Sequence, residues 1–215
     1  MPILIKKNLN DQLYELLRQD IMDQKIPFGE KLINRDIQKQ YGVSSTPVRD
    51  AINRLHQDGL LENISNSGAR VIQFDYADAV ELNEIICMLN CGAVSLSAQK
   101  SDPVDVAPRL QESIDLQKKH INTPQYYTYD AQFHHVFFEF CQNKRLKQLY
   151  QQYATLWMLL FRFYYRDAQS RQDTSIACHE TIMQAYCKGH VQKACDDMHQ
   201  HFARALLPFQ NTFRV

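Results

Sequence analysis

Residues 29–71 read GEKLINRDIQKQYGVSSTPVRDAINRLHQDGLLENISNSGARV. A short helical pattern runs from about Asn34, as its N-cap, to Gln40, and Gly42 makes the turn that follows. The next helix is predicted to start at Thr46-Pro47, with Thr46 as N-cap and Pro47 in the first helical position, where its missing N–H costs nothing. Val48, Ile52 and Leu55 mark its buried face, and Asp58-Gly59 ends it. LLENI and ARVIQF, on either side of Ser65-Asn66-Ser67-Gly68, then read as a two-stranded hairpin. Upstream, Leu9, Leu13, Leu16, Leu17 and Ile21 recur at helical spacing. Three helices and a hairpin in this order predict a winged helix-turn-helix.

Outside this stretch the composition changes. The chain has 215 residues and six glycines, of which only Gly92 and Gly189 lie beyond residue 75. Long amphipathic patterns take over, predicting six helices at roughly 78–99, 104–121, 124–142, 145–166, 172–188 and 191–208, with Pro103, Pro124 and Gly189 in the gaps. The expected fold class is mainly α. Residues 1–75 form a winged helix-turn-helix DNA-binding domain, and 76–215 an all-helical metal- and effector-binding and dimerisation domain, a six-helix bundle. The linker lies near Gln73–Tyr76. No apolar run approaches the roughly 18 residues that cross a bilayer, and the start MPILIKKNLNDQ lacks signal-peptide features. The expectation is a cytoplasmic protein with no membrane partner. Six cysteines without a CxxC, in a long helical chain, read as reduced core thiols.

Lys+Arg and Asp+Glu balance at 24 each, so any nucleic-acid binding must come from local charge. Within 31–54, Lys31, Arg35, Lys39, Arg49 and Arg54 face only Asp36 and Asp50, a net +3. The turn between helices two and three would place the start of helix three in a major groove. Arg49, Asn53 and His56 then follow one another on the side away from the core. Thr46 and the N–H groups at this helix start suit phosphate oxygens, Arg35 reaches a phosphate or a base edge, and Gly68 lets the wing backbone approach a minor groove. One such patch binds weakly; two in a dimer double the phosphates neutralised.

Residues 29–71 closely resemble the winged-helix segment of GntR-family bacterial transcription regulators. Ser44 to Gly59 is similar to the family's S-R-T-P-V-R-E-A-L-x-x-L-x-x-x-G. The resemblance implies that Arg35, the Ser44–Ser45–Thr46 turn, Arg49 and the wing around Gly68 contact an operator. Ser45 stands where the family usually has Arg, which removes a bidentate guanine contact worth about 1–3 kcal/mol of discrimination.

A second constellation lies in the helical half. Asp130 and His134 are four apart, about 40° from one another around a helix. His179 and His201 stand equally far before and after His190, so an antiparallel helical hairpin sets them side by side. One carboxylate and three imidazoles suit Zn²⁺, Ni²⁺ or another first-row divalent ion, with positions left for water or a ligand oxygen. Among eight histidines such an arrangement also arises by chance. D-A-Q-F-H (130–134), Asn143, H-E-T-I-M-Q-A (179–185) and A-C-D-D-M-H-Q-H (194–201) resemble the FCD ligand-binding domain of the FadR branch, and six helices point to its VanR-like subgroup. The resemblance implies Asp130, His134, His179 and His201 as metal ligands. Ile86 and Asn90 occupy positions where such domains often carry R-x3-E. A carboxylate effector would then need the metal, or a cation such as Arg162, as counter-charge. Trp157, Phe161, Phe163, Tyr164 and Tyr165 line its pocket or serve as core and interface.

The resulting expectation is a homodimeric, non-enzymatic regulator, a repressor by default, that leaves a double-stranded operator when a small organic acid binds beside the metal. Two alternatives stay open: a metal-sensing regulator, and a metal-dependent hydrolase. The second lacks a poised general base, because Glu180 points off the His179 face and Glu139 lies five residues past His134.

Overall fold

The computed structural model describes residues 9–164 and 171–213. The chain divides into two compact units between Phe74 and Asp75.

The first unit contains α1 (Leu9–Met22), β1 (Lys31–Ile33), α2 (Asn34–Tyr41), α3 (Ser45–Gln57), β2 (Leu61–Ser65) and β3 (Gly68–Val71). Leu13, Leu17 and Ile21 of α1 bury against Val48, Ile52 and Leu55 of α3, while Leu9 and Leu16 stay half exposed. Polar contacts clamp the same two helices. Tyr14 donates to Asp58 at 2.5 Å, and Arg54 pairs with Asp11 at 2.8 Å while lying over the Tyr14 ring.

Three details differ from the sequence reading. First, α3 starts at Ser45 with Ser44 as its extended N-cap, so Thr46 is already helical and Pro47 is the third helical residue. The helix gains a turn's start because the N–H groups of the first turn have no intrahelical partner, so a proline anywhere in it loses nothing. Second, Asn34 is the first helical residue rather than the cap; Ile33 precedes it in extended conformation. Third, the wing has three strands in the order β1-β3-β2, all antiparallel, instead of two. β1 pairs Ile33 with Gly68 and Leu32 with Ala69. A side chain at Gly68 would put its β-carbon 1.8 Å from the Leu32 carbonyl oxygen, and its φ is +150°. Glycine is required there by strand proximity.

The second unit contains α4 (Tyr76–Lys100), α5 (Pro103–Lys119), α6 (Tyr126–Phe140), α7 (Lys144–Tyr164), α8 (Gln172–Cys187) and α9 (Val191–Phe213). Asp75 and Asp78 form a capping box at the start of α4, and Asp102 caps α5 ahead of Pro103. Asn143 Oδ1 accepts from the Leu146 N–H at the head of α7. α4 packs on α9, α7 and α6; α5 packs on α6 and α8; α8 packs on α9. Phe133, Phe137, Phe138 and Tyr186 form the aromatic centre. By length and composition alone α4 is long and apolar enough to cross a membrane, a run the sequence reading passed over; its packing on three helices accounts for that apolarity. All six cysteines are free thiols, with Cys187 exposed and Cys91 half-buried rather than in the core.

Candidate nucleic-acid interface and metal centre

On the first unit, α3 turns Val48, Ala51, Ile52 and Leu55 inward. Helical geometry therefore leaves Arg49, Asn53 and His56 in one row on the exposed face. Ser44, Ser45 and Thr46 are exposed at its head, and Ser44 makes no side-chain cap bond. The N–H groups there are thus open to an anion at the positive end of the helix. Gly42, at φ +63°, turns the chain between α2 and α3. Arg35 and Lys39 are exposed on α2.

The local charge differs from the +3 tally. Arg54 is tied to Asp11 and stacked on Tyr14, so it braces α1 against α3 and its charge is paired. The wing supplies one cation in its place: Arg70 sits opposite Lys31, already in that tally, across β1 and β3, over a surface hollow that Asn63, Ser65, Gly68 and Ala69 also line. Arg70 donates to the Gly29 carbonyl. Arg70 had no sequence signal, because its position beside Lys31 depends on the unforeseen strand β1. Gly68 is buried in the pairing of β3 with β1, and the accessible wing tip is Ser65–Ser67. Its glycine identity is accounted for without a groove contact.

In the second unit, α6, α8 and α9 bring His134, His179 and His201 together. Their ring centroids are 4.7–5.2 Å apart, and one nitrogen of each lies within 4.8 Å of the others. The α8–α9 hairpin sets His179 and His201 abreast, at 4.7 Å. All three side chains are buried, and Phe133 stacks on His179 at 4.0 Å. Asp130 stands beside this trio rather than within it. Its Oδ1 accepts from Ser175 at 3.0 Å and Tyr126 at 3.2 Å, and lies 4.0 Å from His179 Nε2.

Two amides set the ring tautomers. Asn90 Nδ2 donates to the Ile86 carbonyl, which turns Asn90 Oδ1 toward His134 Nδ1 at 3.0 Å. Gln117 Nε2 donates to the Tyr129 carbonyl, which turns Gln117 Oε1 toward His179 Nδ1 at 2.9 Å. An amide oxygen only accepts, so each Nδ1 carries the proton and each Nε2 keeps a bare lone pair. His179 Nε2 is buried with no hydrogen-bond partner. That is the donor arrangement of metal-binding imidazoles, whose outer N–H is held by a second group.

Electrostatics agree. Burial holds His134 and His179 well below the usual imidazole range, and lowers His201 to about 4, helped by the Arg204 charge. The three rings are therefore neutral at pH 7. Loss of water around Asp130 raises it to about 6, against the Ser175 and Tyr126 hydroxyls.

Asn90, Gln117 and Arg204 were not foreseen as site residues. Asn90 and Gln117 carried a signal nonetheless. Gln117 continues the buried stripe Val106, Leu110, Ile114 on α5, and Asn90 continues Ile86, Cys87 on α4, each a polar residue where an apolar one belongs. Arg162 is exposed, with its guanidinium over Phe163, while Trp157 and Phe161 turn inward onto Phe202 and Phe209. Arg204 is exposed on α9 with its guanidinium on Cys178 Sγ at 3.1 Å, and its charge adds to burial in lowering His201. Tyr165, named with the pocket aromatics, lies outside the described residues. Glu180 pairs with Lys118 and Glu139 with Arg109 and His135, so both carboxylates are engaged elsewhere.

Comparison with known proteins is consistent along the chain. Residues 9–71 match the family described as "Bacterial regulatory proteins, gntR family", and residues 81–204 match "FCD domain". The chain is 24% identical over 195 residues to the "Uncharacterized HTH-type transcriptional regulator YdhC" of Bacillus subtilis, covering 89% of this chain and 86% of that one. It is 28% identical over 207 residues to the "Uxu operon regulator" of Haemophilus influenzae, covering 87% and 76%. A crystal structure of a putative transcriptional regulator GntR from Rhodococcus sp. RHA1 superposes with a TM-score of 0.72 at 22% identity, covering 94% of this chain and 97% of that one.

Proposed function

The chain belongs to the gntR family of bacterial regulatory proteins, carries an FCD domain and is a transcription regulator rather than an enzyme; on that premise we propose that it is a cytoplasmic homodimeric repressor whose operator affinity is set by a small carboxylate bound beside a divalent metal. The observation that carries the first half is the exposed row Arg49, Asn53, His56 behind the open N-terminus of α3. Ser44, Ser45, Thr46 and Arg35, with Lys31 and Arg70 of the wing, position the protein on phosphates; the row reads base edges. Two such units on a dimer select a pseudo-palindromic site. Exposed Met88, Met158 and Leu207 on the helical unit offer apolar surface for a dimer to cover.

The second half rests on the unpartnered His179 Nε2. His134, His179 and His201 would hold the ion, with Asp130 beside them, and Zn²⁺ or Ni²⁺ suits three neutral imidazoles. The ion supplies a positive charge with open coordination positions. Asn90 and Gln117 keep the nitrogens aimed and deprotonated, Phe133 fixes the His179 plane, and Arg204 adds a cation for the carboxylate. Relief of repression requires the acid to favour the arrangement that does not bind DNA; a hundredfold loss of affinity needs about 2.7 kcal/mol of such coupling.

Selection from a random duplex pool at physiological salt tests the proposal. The expected result is enrichment of one two-fold-symmetric sequence, released when an organic acid that also perturbs Trp157 fluorescence is added. Retention of the pool without sequence preference overturns it. A metal-only sensor would instead show operator affinity tracking free metal with no acid present.

A further inference from the structure

We propose that Cys87 and Cys91 of α4 and His199 of α9 form a second, thiolate-rich cation site, separate from the three-histidine centre, that takes a thiophilic d¹⁰ ion such as Zn²⁺. Cys87 and Cys91 are four residues apart, so both thiols leave the same face of α4. That face meets α9, where Cys195 and His199 are also four apart. One donor atom from each of Cys87, Cys91 and His199 lies within 4.8 Å of the other two.

The imidazole is prepared for the role. His199 Nδ1 donates to the Cys195 carbonyl at 2.8 Å, which leaves Nε2 with its lone pair. Cys91 Sγ lies beside the ring, 3.5 Å from Nδ1 and 4.0 Å from Nε2. Sulfur and nitrogen bound tetrahedrally to one Zn²⁺ stand roughly 3.6 Å apart, so side-chain rotation has to draw together donors that now lie within 4.8 Å of one another. Cys195 flanks the site as a further sulfur, its Sγ 3.6 Å from both the Cys91 carbonyl and Ser95 Oγ. His199 is exposed and Cys91 half-buried, so an ion can enter from water while Cys87 closes the inner side. Binding displaces the two thiol protons to solvent.

The position has a consequence for the fold. Cys91 follows Asn90, which orients His134, and His199 precedes His201 by two residues. An ion here would pin together the two helices that supply an orienting residue and a ligand of the histidine centre.

Titration of the reduced full-length chain with Co²⁺ tests this. A sulfur-to-metal charge-transfer band should grow in the near ultraviolet, saturate at one thiolate-bound ion per chain and vanish on adding Zn²⁺. Three imidazoles produce no such band. Cys87→Ser and Cys91→Ser should each abolish it, His199→Ala should weaken Co²⁺ binding at least tenfold, and His179→Ala should leave it intact. Alkylation mapped by mass spectrometry on the unmutated chain gives an answer free of folding defects: Zn²⁺ should protect half-buried Cys91 but not exposed Cys187. No band with all thiols reduced, a band surviving both cysteine substitutions or lost in His179→Ala, or equal alkylation with and without Zn²⁺, overturns the proposal. So does air oxidation that pairs Cys91 with Cys195 while Zn²⁺ gives no protection.

Discussion

Replacing Gly68 with alanine should release the first strand of the wing. The added β-carbon would meet the Leu32 carbonyl oxygen at 1.8 Å, its carbon at 2.9 Å and Ile33 Cα at 3.1 Å. These are backbone atoms, so no rotamer relieves the contact. An ordinary carbon–oxygen approach is roughly 3.3 Å, so β1 and β3 must part by about 1.5 Å. That stretches ladder hydrogen bonds of about 2.9 Å beyond 4 Å, where they no longer count as bonds. The alternative, keeping the pairing, also forces alanine to φ +150°, which costs about 1–3 kcal/mol before the clash is counted.

Release of β1 sets the scale of the damage. It forfeits bonds that tie this strand to β3, Asn34 N–H to the Ser67 carbonyl and Val71 N–H to the Glu30 carbonyl, at about 1 kcal/mol each, and the burial of Leu32, another ~2 kcal/mol. The expected loss is about 4 kcal/mol. Gly42→Ala is the control. It has φ +63° and no neighbour within 4 Å, so its cost is the left-handed backbone alone, about 1–2 kcal/mol. Denaturant unfolding of the full chain, with amide exchange followed at Leu32 and Asn34, whose N–H groups face β3, separates the two. The reasoning fails if Gly68→Ala is no more destabilising than Gly42→Ala, or if those amides stay protected in it.

Arg49→Ala should cost about 1–3 kcal/mol on the operator and relax preference at one base pair, whereas Arg35→Ala, if it meets phosphate, should weaken all duplexes alike and lower the salt slope by about one. Anisotropy titrations against operator and scrambled duplex decide; an equal loss on both for Arg49 argues against base reading. Asn90→Leu and Gln117→Leu should each lower Zn²⁺ affinity of the histidine centre about 10–100-fold by freeing a ring to turn, measured by competition with a chromophoric chelator. Unchanged affinity in both would mean the amides do not orient the rings. Burial, then the bond to Asp58, pushes the Tyr14 hydroxyl up to about 12 in the folded chain from an ordinary value near 10. Its contribution is thus complete below pH 10 and lost as pH rises through 12. Tyr14→Phe should flatten the alkaline fall in stability over that window; an identical slope in both chains removes Asp58 as a partner of consequence.

Helical periodicity explains why some of this could be read from residue order and some could not. The inward stripe Val48, Ile52, Leu55 and the outward row Arg49, Asn53, His56 are two faces of one repeat, so both follow from spacing. His179 and His201 follow from the symmetry of a hairpin about His190. β1 is three residues long, with one buried side chain between two exposed ones, and has no periodicity to detect. It exists because β3 offers it a partner some 35 residues away, and Arg70 became a wing cation only through it. Arg54 looked like one more basic residue of the patch until α1 brought Asp11 and Tyr14 to it. Asn90 and Gln117 are polar intrusions in apolar stripes, and their purpose becomes visible only when α6 and α8 put a ring nitrogen opposite each.

The choice of amides behind those rings has an electrostatic consequence for the effector. A buried carboxylate in either place would bring negative charge to the cluster; Asn90 and Gln117 hold Nδ1–H while contributing none. An ion of charge +2, if held by these three buried, neutral imidazoles with Asp130 the single acidic group described against them, would leave the centre net positive, and Arg204 lies near enough to His201 to add to that charge. Such a site attracts an anion more strongly than a surface cation would, because screening is weak there. Ligands that shift Trp157 fluorescence should therefore be carboxylates, and the methyl ester or primary amide of an active acid should bind at least tenfold more weakly, with the gap closing once the metal is removed. Trp157 reports because its ring neighbours Phe202, which packs on His134 and His201. A neutral analogue that binds as tightly as its acid, with metal present, would show that charge at this centre does not select the effector.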